Sequence, residues 1–215
     1  MYNADMDDVV SNAKTVFGLK LTDNQVQQLI LYERMLLEWN SKINLTAIRT
    51  SKDIHTKHFL DSMACMLVLK TCDQRVIDIG TGAGFPGIVL KICIPDISLT
   101  LVESRGKKAR FCTHVVEALD LSSVEVVQQR AEILGRNPDY KEQFDVAVAR
   151  AVAPLSKLAK YLLPFVKIGG YAIAMKGRNA QEEMKQVENL LCDPISYTLP
   201  GETEGKTLVV IKKNR

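Results

Sequence analysis

The stretch Val76-Ile77-Asp78-Ile79-Gly80-Thr81-Gly82-Ala83-Gly84 decides the fold: a short apolar run, broken only by Asp78, feeds directly into glycines at every second position. Glycine carries no Cβ, so such a loop lets its backbone come within contact distance of a ligand, and a helix opening behind it would point its first turn at the same place. From Arg75 onward, short apolar runs alternate with amphipathic segments, which is how a parallel sheet covered by helices reads in sequence. The spacing predicts strands at 75–79, 98–103, 124–127, 144–149 and 170–176, with helices at 86–94, 106–119, 155–163 and 180–191. Within the second of these, Phe111, Cys112, Val115, Val116 and Leu119 form one apolar stripe, so that helix should lie on the sheet. Two last runs, 195–199 and 207–211, have only Pro200-Gly201-Glu202-Thr203-Glu204-Gly205 between them and should form an antiparallel hairpin at the sheet edge. The expected fold is therefore α/β, a seven-stranded, doubly wound, Rossmann-like sheet whose last pair breaks the parallel rule.

Upstream the texture is purely helical. Gly18 should end a first helix. Thr22-x-x-Gln25 reads as a capping box opening a second, which carries Val26, Leu29, Ile30, Met35, Leu36, Leu37 and Trp39. After a polar turn around residues 42–47, Ser51 should open a third helix with Ile54, His58, Phe59, Met63, Met66 and Leu67. The expected organisation is an N-terminal helical extension, residues 1–72, packed on a core domain of residues 73–215.

Composition narrows the class. The chain has 215 residues, 47% hydrophobic and 25% charged, enough for one full core and ordinary for a globular protein. The start, Met1-Tyr2-Asn3-Ala4-Asp5-Met6-Asp7-Asp8, is acidic where a secretory signal needs positive charge, and no apolar run reaches the roughly 18 residues of a membrane span. A cytoplasmic protein without membrane association is expected. Cys65, Cys72, Cys93, Cys112 and Cys192 show no paired spacing and read as small core hydrophobes in a reducing compartment. His55 and His58 stand at an i, i+3 spacing that suits two metal ligands, but no third ligand is offered nearby, so no metal is expected. A net charge of +3 permits a nucleic-acid substrate without demanding one.

The glycine loop fits two cofactor templates. Gly82-x-Gly84-x-x-Gly87 matches a dinucleotide fingerprint, and Asp78-x-Gly80-x-Gly82-x-Gly84 matches that of S-adenosylmethionine-dependent methyltransferases. A pyrophosphate at the helix N-terminus would be repelled by Asp78 and would miss the amide that Pro86 lacks. S-adenosylmethionine brings an ammonium and a sulfonium instead, which a carboxylate attracts. Glu103, about 20 residues past the loop, sits where an acid holds ribose hydroxyls, but both cofactors contain a ribose. Ala131-Glu132 after the third strand suits an adenine edge; the competing reading is that Glu132 caps a short helix.

With Asn44-Leu45-Thr46, His58-Phe59-Leu60-Asp61-Ser62, the loop extended through Phe85-Pro86-Gly87-Ile88, and Arg150-Ala151-Val152-Ala153-Pro154-Leu155, the chain resembles the ribosomal RNA small-subunit methyltransferase G family over nearly its whole length. The resemblance implies a class I methyltransferase fold. It also implies a cytoplasmic enzyme that methylates guanine N7 in the 530 loop of 16S rRNA, on the rRNA, the small ribosomal subunit or an assembly intermediate, and releases S-adenosylhomocysteine. The cofactor contacts it implies are Gly80, Phe85, Glu103, Ser104, Arg105, Ala131, Glu132 and Arg150, beside Asp78 and Gly82 from the loop pattern.

Guanine N7 has a free lone pair, so its methylation needs alignment rather than a general base. The segment after the fourth strand accordingly lacks both the Asn/Asp-Pro-Pro-Tyr/Phe of amino-methylating enzymes and the Pro-Cys of cytosine C5 enzymes. Arg150 stands there instead, read as a positioning group for cofactor or base, or as the partner of a structural carboxylate such as Asp145. Lys107, Lys108 and Arg110, with Arg105, and Lys176 with Arg178 fall at C-terminal strand ends and are expected to meet RNA; a solvated helix face accounts for each cluster equally well. His58 and Asp61 would line the target pocket or make an interhelical hydrogen bond. Asn44, also a candidate RNA contact, and Thr46 would otherwise be turn formers. Two rival functions stay open: a nicotinamide-dependent oxidoreductase, and a non-catalytic RNA-binding protein on the same scaffold.

Overall fold

A computed structural model describes residues 4–69, 73–150 and 153–214. Cys72, Ala151 and Val152 lie outside these, as do the first three residues of the acidic start and the chain position at which the two domains were expected to meet.

The sheet has seven strands in the order β3-β2-β1-β4-β5-β7-β6. They are β1 (Arg75–Ile79), β2 (Ser98–Val102), β3 (Val124–Val127), β4 (Phe144–Arg150), β5 (Val166–Lys176), β6 (Cys192–Tyr197) and β7 (Lys206–Lys212). The first five run parallel, while β7 pairs antiparallel with both β5 and β6. The strand order reverses between β1 and β4, so the crevice at their C-terminal ends is where this fold binds ligands. Strand side chains alternate between two cores. Val76, Leu99, Leu101, Val146, Val148 and Ile173 enter one, and Ile77, Ile79, Val102, Ala147, Ala149 and Ala172 the other.

The first core is shared with the N-terminal helices α1 (Ala4–Phe17) and α2 (Asp23–Lys42). Their layer exists because α5 (Gly87–Cys93), the helix behind the glycine loop, is buried on every side, Lys91 included, and needs apolar cover away from the sheet. Gln25 ties the layers together: it completes the predicted capping box with Thr22, and its amide donates to the C-terminal carbonyls of α5 at Ile92 (2.8 Å) and Cys93 (3.1 Å). Gly18 ends α1 with φ +69°.

The third helical stretch is irregular. Thr50, not Ser51, is the N-cap, its hydroxyl accepting from the Asp53 amide. The stretch opens as α3 (Ser51–Ile54), widens into a π-helical segment His55–Leu60, resumes as α4 (Asp61–Met63) and tightens to a 3-10 turn Ala64–Leu67. The widening is carried by the Asp61 amide reaching back to the Thr56 carbonyl. Such turns concentrate at functional sites because they re-aim side chains.

Several boundaries differ from expectation, four of them instructively. Strand β2 stops at Val102, so Glu103 already belongs to the loop. Strand β5 starts at Val166 because the Gly169-Gly170 pair stays in the sheet, bonding Lys213 through both residues, opposite a register shift between Phe144 and Val146. Helix α9 spans only Ala180–Lys185; polar residues follow, and the chain turns through i to i+3 bonds such as Val187 to Met184. Strand β6 begins at Cys192, with Pro194 tolerated because β6 is an edge. The remaining helices are α6 (Gly106–Ala118), α7 (Ala131–Leu134) and α8 (Leu155–Leu162).

Candidate active site

The glycine loop leaves β1 with most of its amides already spent inside the protein. Gly80 and Thr81 donate to the Val102 carbonyl, Gly84 and Phe85 to that of Thr81, and Gly82 to Glu103 Oε2 at 3.0 Å. Glu103 Oε1 meanwhile accepts from the Arg105 amide at 2.8 Å. Asp78 is fully buried under the loop, where Oδ2 accepts from Thr81 Oγ1 (2.7 Å) and the Gly87 amide (2.8 Å). Its Oδ1 is buried with no hydrogen-bond partner among the described residues. Burial pushes the carboxyl up to about 6 against the pull of those two bonds. Gly87 must be glycine: a Cβ there would stand 2.4 Å from Leu101 Cδ2 and 2.8 Å from Asp78 Oδ2. Tyr32 on α2 reaches the loop too, donating to the Ala83 carbonyl.

Beside the loop an open cleft of about 490 Å³ lies across the C-terminal ends of the strands. It brings together Gly80, Ser104, Arg105, Ala131 and Glu132, all expected from sequence, and adds Ile79, Gln129 and Tyr161, which were not. Asp78, Phe85 and Glu103 lie beneath or behind the cleft rather than on its surface. Glu132 stands in the first turn of α7, whose N-cap Arg130 makes no side-chain cap bond, and its carboxyl is held below the usual range by its own backbone amide and the Tyr161 hydroxyl. Tyr161 escaped notice because its helix read only as packing.

At the end of β4, Arg150 closes a polar cluster built on the π-helical segment. Its Nη1 donates to the Lys57 carbonyl (2.8 Å) and pairs with Asp61 Oδ2 (3.2 Å), its Nη2 bonds His58 Nδ1 (2.8 Å), and its guanidinium lies over the Phe85 ring, 5.1 Å from the centroid. Asp145, the alternative partner, is engaged instead by Lys167 and the Arg75 amide. Phe85 is stacked between His58 (4.2 Å) and Tyr32 (5.1 Å). Asp61 Oδ1 accepts from Tyr197 (2.9 Å) and Lys206 (3.0 Å) of the C-terminal hairpin. His55 points elsewhere, to Glu33 on α2 at 2.9 Å, so the two histidines do not face a common metal.

Arg150 has no acceptor, so His58 Nδ1 must be a bare lone pair, and the proton sits on Nε2, donated to Thr46 Oγ1 at 3.0 Å. Burial, then the charge of Arg150, pushes His58 down to about 3. His58 is therefore neutral at physiological pH. In spectra of nitrogen-labelled histidine it should keep the Nε2–H form from pH 7 down to about pH 4; titration of this ring near pH 6.5 would contradict the bonding scheme.

Comparison with known proteins fits this arrangement. The family model described as rRNA small subunit methyltransferase G matches residues 25–195. The chain belongs to the rRNA small subunit methyltransferase G family. The ribosomal RNA small subunit methyltransferase G of Acetivibrio thermocellus is 43% identical over 93% of this chain and 85% of its own. That of Roseiflexus castenholzii is 44% identical over 97% and 91%. The fold alone extends further. Aeropyrum pernix fibrillarin, solved with natively bound S-adenosyl-L-methionine, superposes with a TM-score of 0.52 at 14% identity, over 71% of this chain and 73% of its own. An rRNA methylase from Streptococcus thermophilus does so at 0.50 and 16% identity, over 67% and 90%.

Within this methyltransferase G chain the basic residues expected to meet RNA separate into two groups. Lys107 and Arg110 are exposed on one face of α6, and Arg178 is exposed but paired with Glu204 at 2.7 Å. Lys176 is tied down: its side chain is 9% exposed and bonds Glu183 (2.7 Å) and the Ala153 carbonyl (2.9 Å), so it braces the β5 end instead of facing a phosphate. Lys108 turns back over the loop, its Nζ 3.9 Å from where a Cβ on Gly82 would stand. Asn44 is exposed and accepts from Arg49 at 3.4 Å. His58 is only 6% exposed with both ring nitrogens used, so it supports the site through Arg150 and Phe85 and offers nothing directly to RNA. Among the described residues, no helix is long and apolar enough to cross a membrane.

Proposed function

We propose that this chain transfers the methyl group of S-adenosylmethionine to N7 of a guanine in the 530 loop of 16S rRNA. The observation that carries the donor is the self-satisfied loop. A dinucleotide would look there for free amides to grip its pyrophosphate, and those of Gly80, Thr81, Gly82, Gly84, Phe85 and Gly87 are already committed. What the loop offers is the charge of Asp78, with one buried oxygen unpartnered among the described residues, which suits a cationic ligand. Bound S-adenosylmethionine supplies an electrophilic methyl on sulfur; the N7 lone pair takes it as the carbon–sulfur bond breaks, leaving S-adenosylhomocysteine.

The residues do the rest by placement. Glu103 keeps acceptor capacity for ribose hydroxyls, since each of its oxygens holds one backbone amide. Ile79, Ala131 and Tyr161 give an adenine apolar walls, with Gln129 and Glu132 at its edge. Arg150, locked by Lys57, His58, Asp61 and Phe85, holds a fixed charge at the switch point where base and methyl would meet. The neutral, doubly bonded His58 is not poised to accept a proton, which agrees with a nucleophile that needs none removed.

The test is mass mapping of 16S rRNA fragments after incubation with the protein and a labelled donor, using deproteinised rRNA and small subunits in parallel. One methyl is expected on the fragment carrying the 530-loop guanine. A protein that binds S-adenosylmethionine and RNA yet leaves every fragment unchanged in both substrates would point to the non-catalytic scaffold.

A further inference from the structure

Away from the crevice, α2 and α6 enclose a groove of about 640 Å³, lined by Trp39, Lys42, Ile43, Lys107, Arg110 and His114 beside Glu38, a size in the range of small-ligand sites. Trp39 is half-buried, braced against the fully buried Phe111 at 5.4 Å, and its plane is stacked by His114 at 5.1 Å and 29°. His114 is exposed, so one face of its ring rests on Trp39 and the other faces solvent. Lys107, Arg110 and His114, spaced i, i+3, i+7, project from one face of α6. Glu38 is neutralised by Lys42 at 2.8 Å. Neither Lys107 nor Arg110 has a carboxylate partner among the described residues.

Packing two helices would need neither an imidazole stacked outward on a tryptophan nor two uncompensated cations around it. Single-stranded nucleic acid needs both, a π surface for a base and positive charge for the flanking phosphates. Helix α6 links the groove to the proposed reaction site. Helix α6 starts directly after Ser104 and Arg105, which line the cofactor cleft, and His114 lies about 14 Å further along the helix.

We infer that the Trp39–His114 groove is a second RNA contact, which stacks one base of the single strand next to the target and holds its phosphates with Lys107 and Arg110. This rests on the reading of the chain as an rRNA methyltransferase, and it assigns to α2 and α6 a part in holding the substrate that the crevice alone lacks.

Trp39 is the only tryptophan, so intrinsic fluorescence reports this groove directly. Titration with a short single-stranded RNA of mixed sequence should change Trp39 emission in the wild-type protein. His114→Ala should weaken RNA binding by about 5- to 100-fold. The double variant Lys107→Ala, Arg110→Ala should lower the salt slope of binding by about 1.4. Melting temperature and S-adenosylmethionine affinity, measured on each variant, separate these effects from misfolding. Unchanged Trp39 emission at saturating RNA, or folded variants that bind RNA as the parent does, would overturn the inference. So would a response to poly-glutamate without one to RNA, which would mark an acidic protein partner instead. Loss of methyl transfer to 16S rRNA is read in a separate assay: a groove that binds RNA without any methylation sinks the proposed reaction, and methylation with silent groove variants sinks the groove.

Discussion

Arg150→Ala is expected to lower methyl-transfer turnover by about a hundredfold or more while costing only about 2 kcal/mol of stability. The two effects separate because of how the neighbours are satisfied. Without the guanidinium, His58 Nδ1 loses its donor, a buried acceptor left bare at a cost of about 1–3 kcal/mol. Asp61 fares better, keeping Tyr197 and Lys206 on its other oxygen, so the variant avoids the heavier penalty of a buried carboxylate with no countercharge. The expected fall in melting temperature is about 4–8 °C. Function loses more, since the fixed charge at the switch point and the cover on Phe85 vanish together. Arg150→Lys should recover stability more than turnover, because an ammonium pairs with Asp61 but cannot also reach the Lys57 carbonyl and His58 and lie over the ring. His58 adds an internal check: the Arg150 charge is the second cause of its low value, so its titration should move upward in Arg150→Ala. Wild-type turnover in a folded Arg150→Ala protein would remove Arg150 from the mechanism.

The sheet was legible because each strand carries its own instruction. Runs such as Val76-Ile77 and Val146-Ala147-Val148-Ala149 are apolar on both faces, which only a strand covered on both sides requires. The loop was legible because glycines after a strand have few other uses. The cluster around Arg150 was legible only in pieces. Thr46, His58, Asp61 and Arg150 were each singled out, but their contacts with one another span up to 92 positions of sequence and pass through a π-helical widening that no helical periodicity announces. Tyr197 and Lys206 went unread for the same reason. They sit in a hairpin whose own pattern speaks only of edge strands, and their bonds to Asp61 arise from the sheet placing β7 beside β5. The ion pair that ties Lys176 down went unread, since nothing local in sequence pairs Lys176 with Glu183 across a turn.

Asp78→Asn should separate folding from cofactor binding. The folded-state value of about 6 stands above the ordinary 3.8 because burial penalises the charge more than Thr81 and Gly87 repay it. The folded protein therefore holds this proton more tightly than the unfolded chain does. Asp78's contribution to stability is full below about pH 4 and is lost as pH rises through about 6, after which the charge costs roughly 3 kcal/mol. Asparagine keeps an oxygen for Thr81 and Gly87 and does not ionise, so the stability of the variant relative to the parent should rise between pH 5 and pH 7.5, as denaturant titrations at the two values would show. S-adenosylmethionine affinity should move the other way, falling about 10- to 100-fold, because the variant offers a cationic ligand a dipole where the parent offers a charge. For the parent, affinity should climb with pH up to about 6 and then level, since a cationic ligand prefers the ionised carboxyl; in the variant that dependence should vanish. Full affinity in Asp78→Asn would leave the buried charge without a purpose. A destabilising carboxylate, with one oxygen unpartnered among the described residues under a loop whose amides at Gly80, Thr81, Gly82, Gly84 and Phe85 are committed elsewhere, makes sense where binding is what it stabilises.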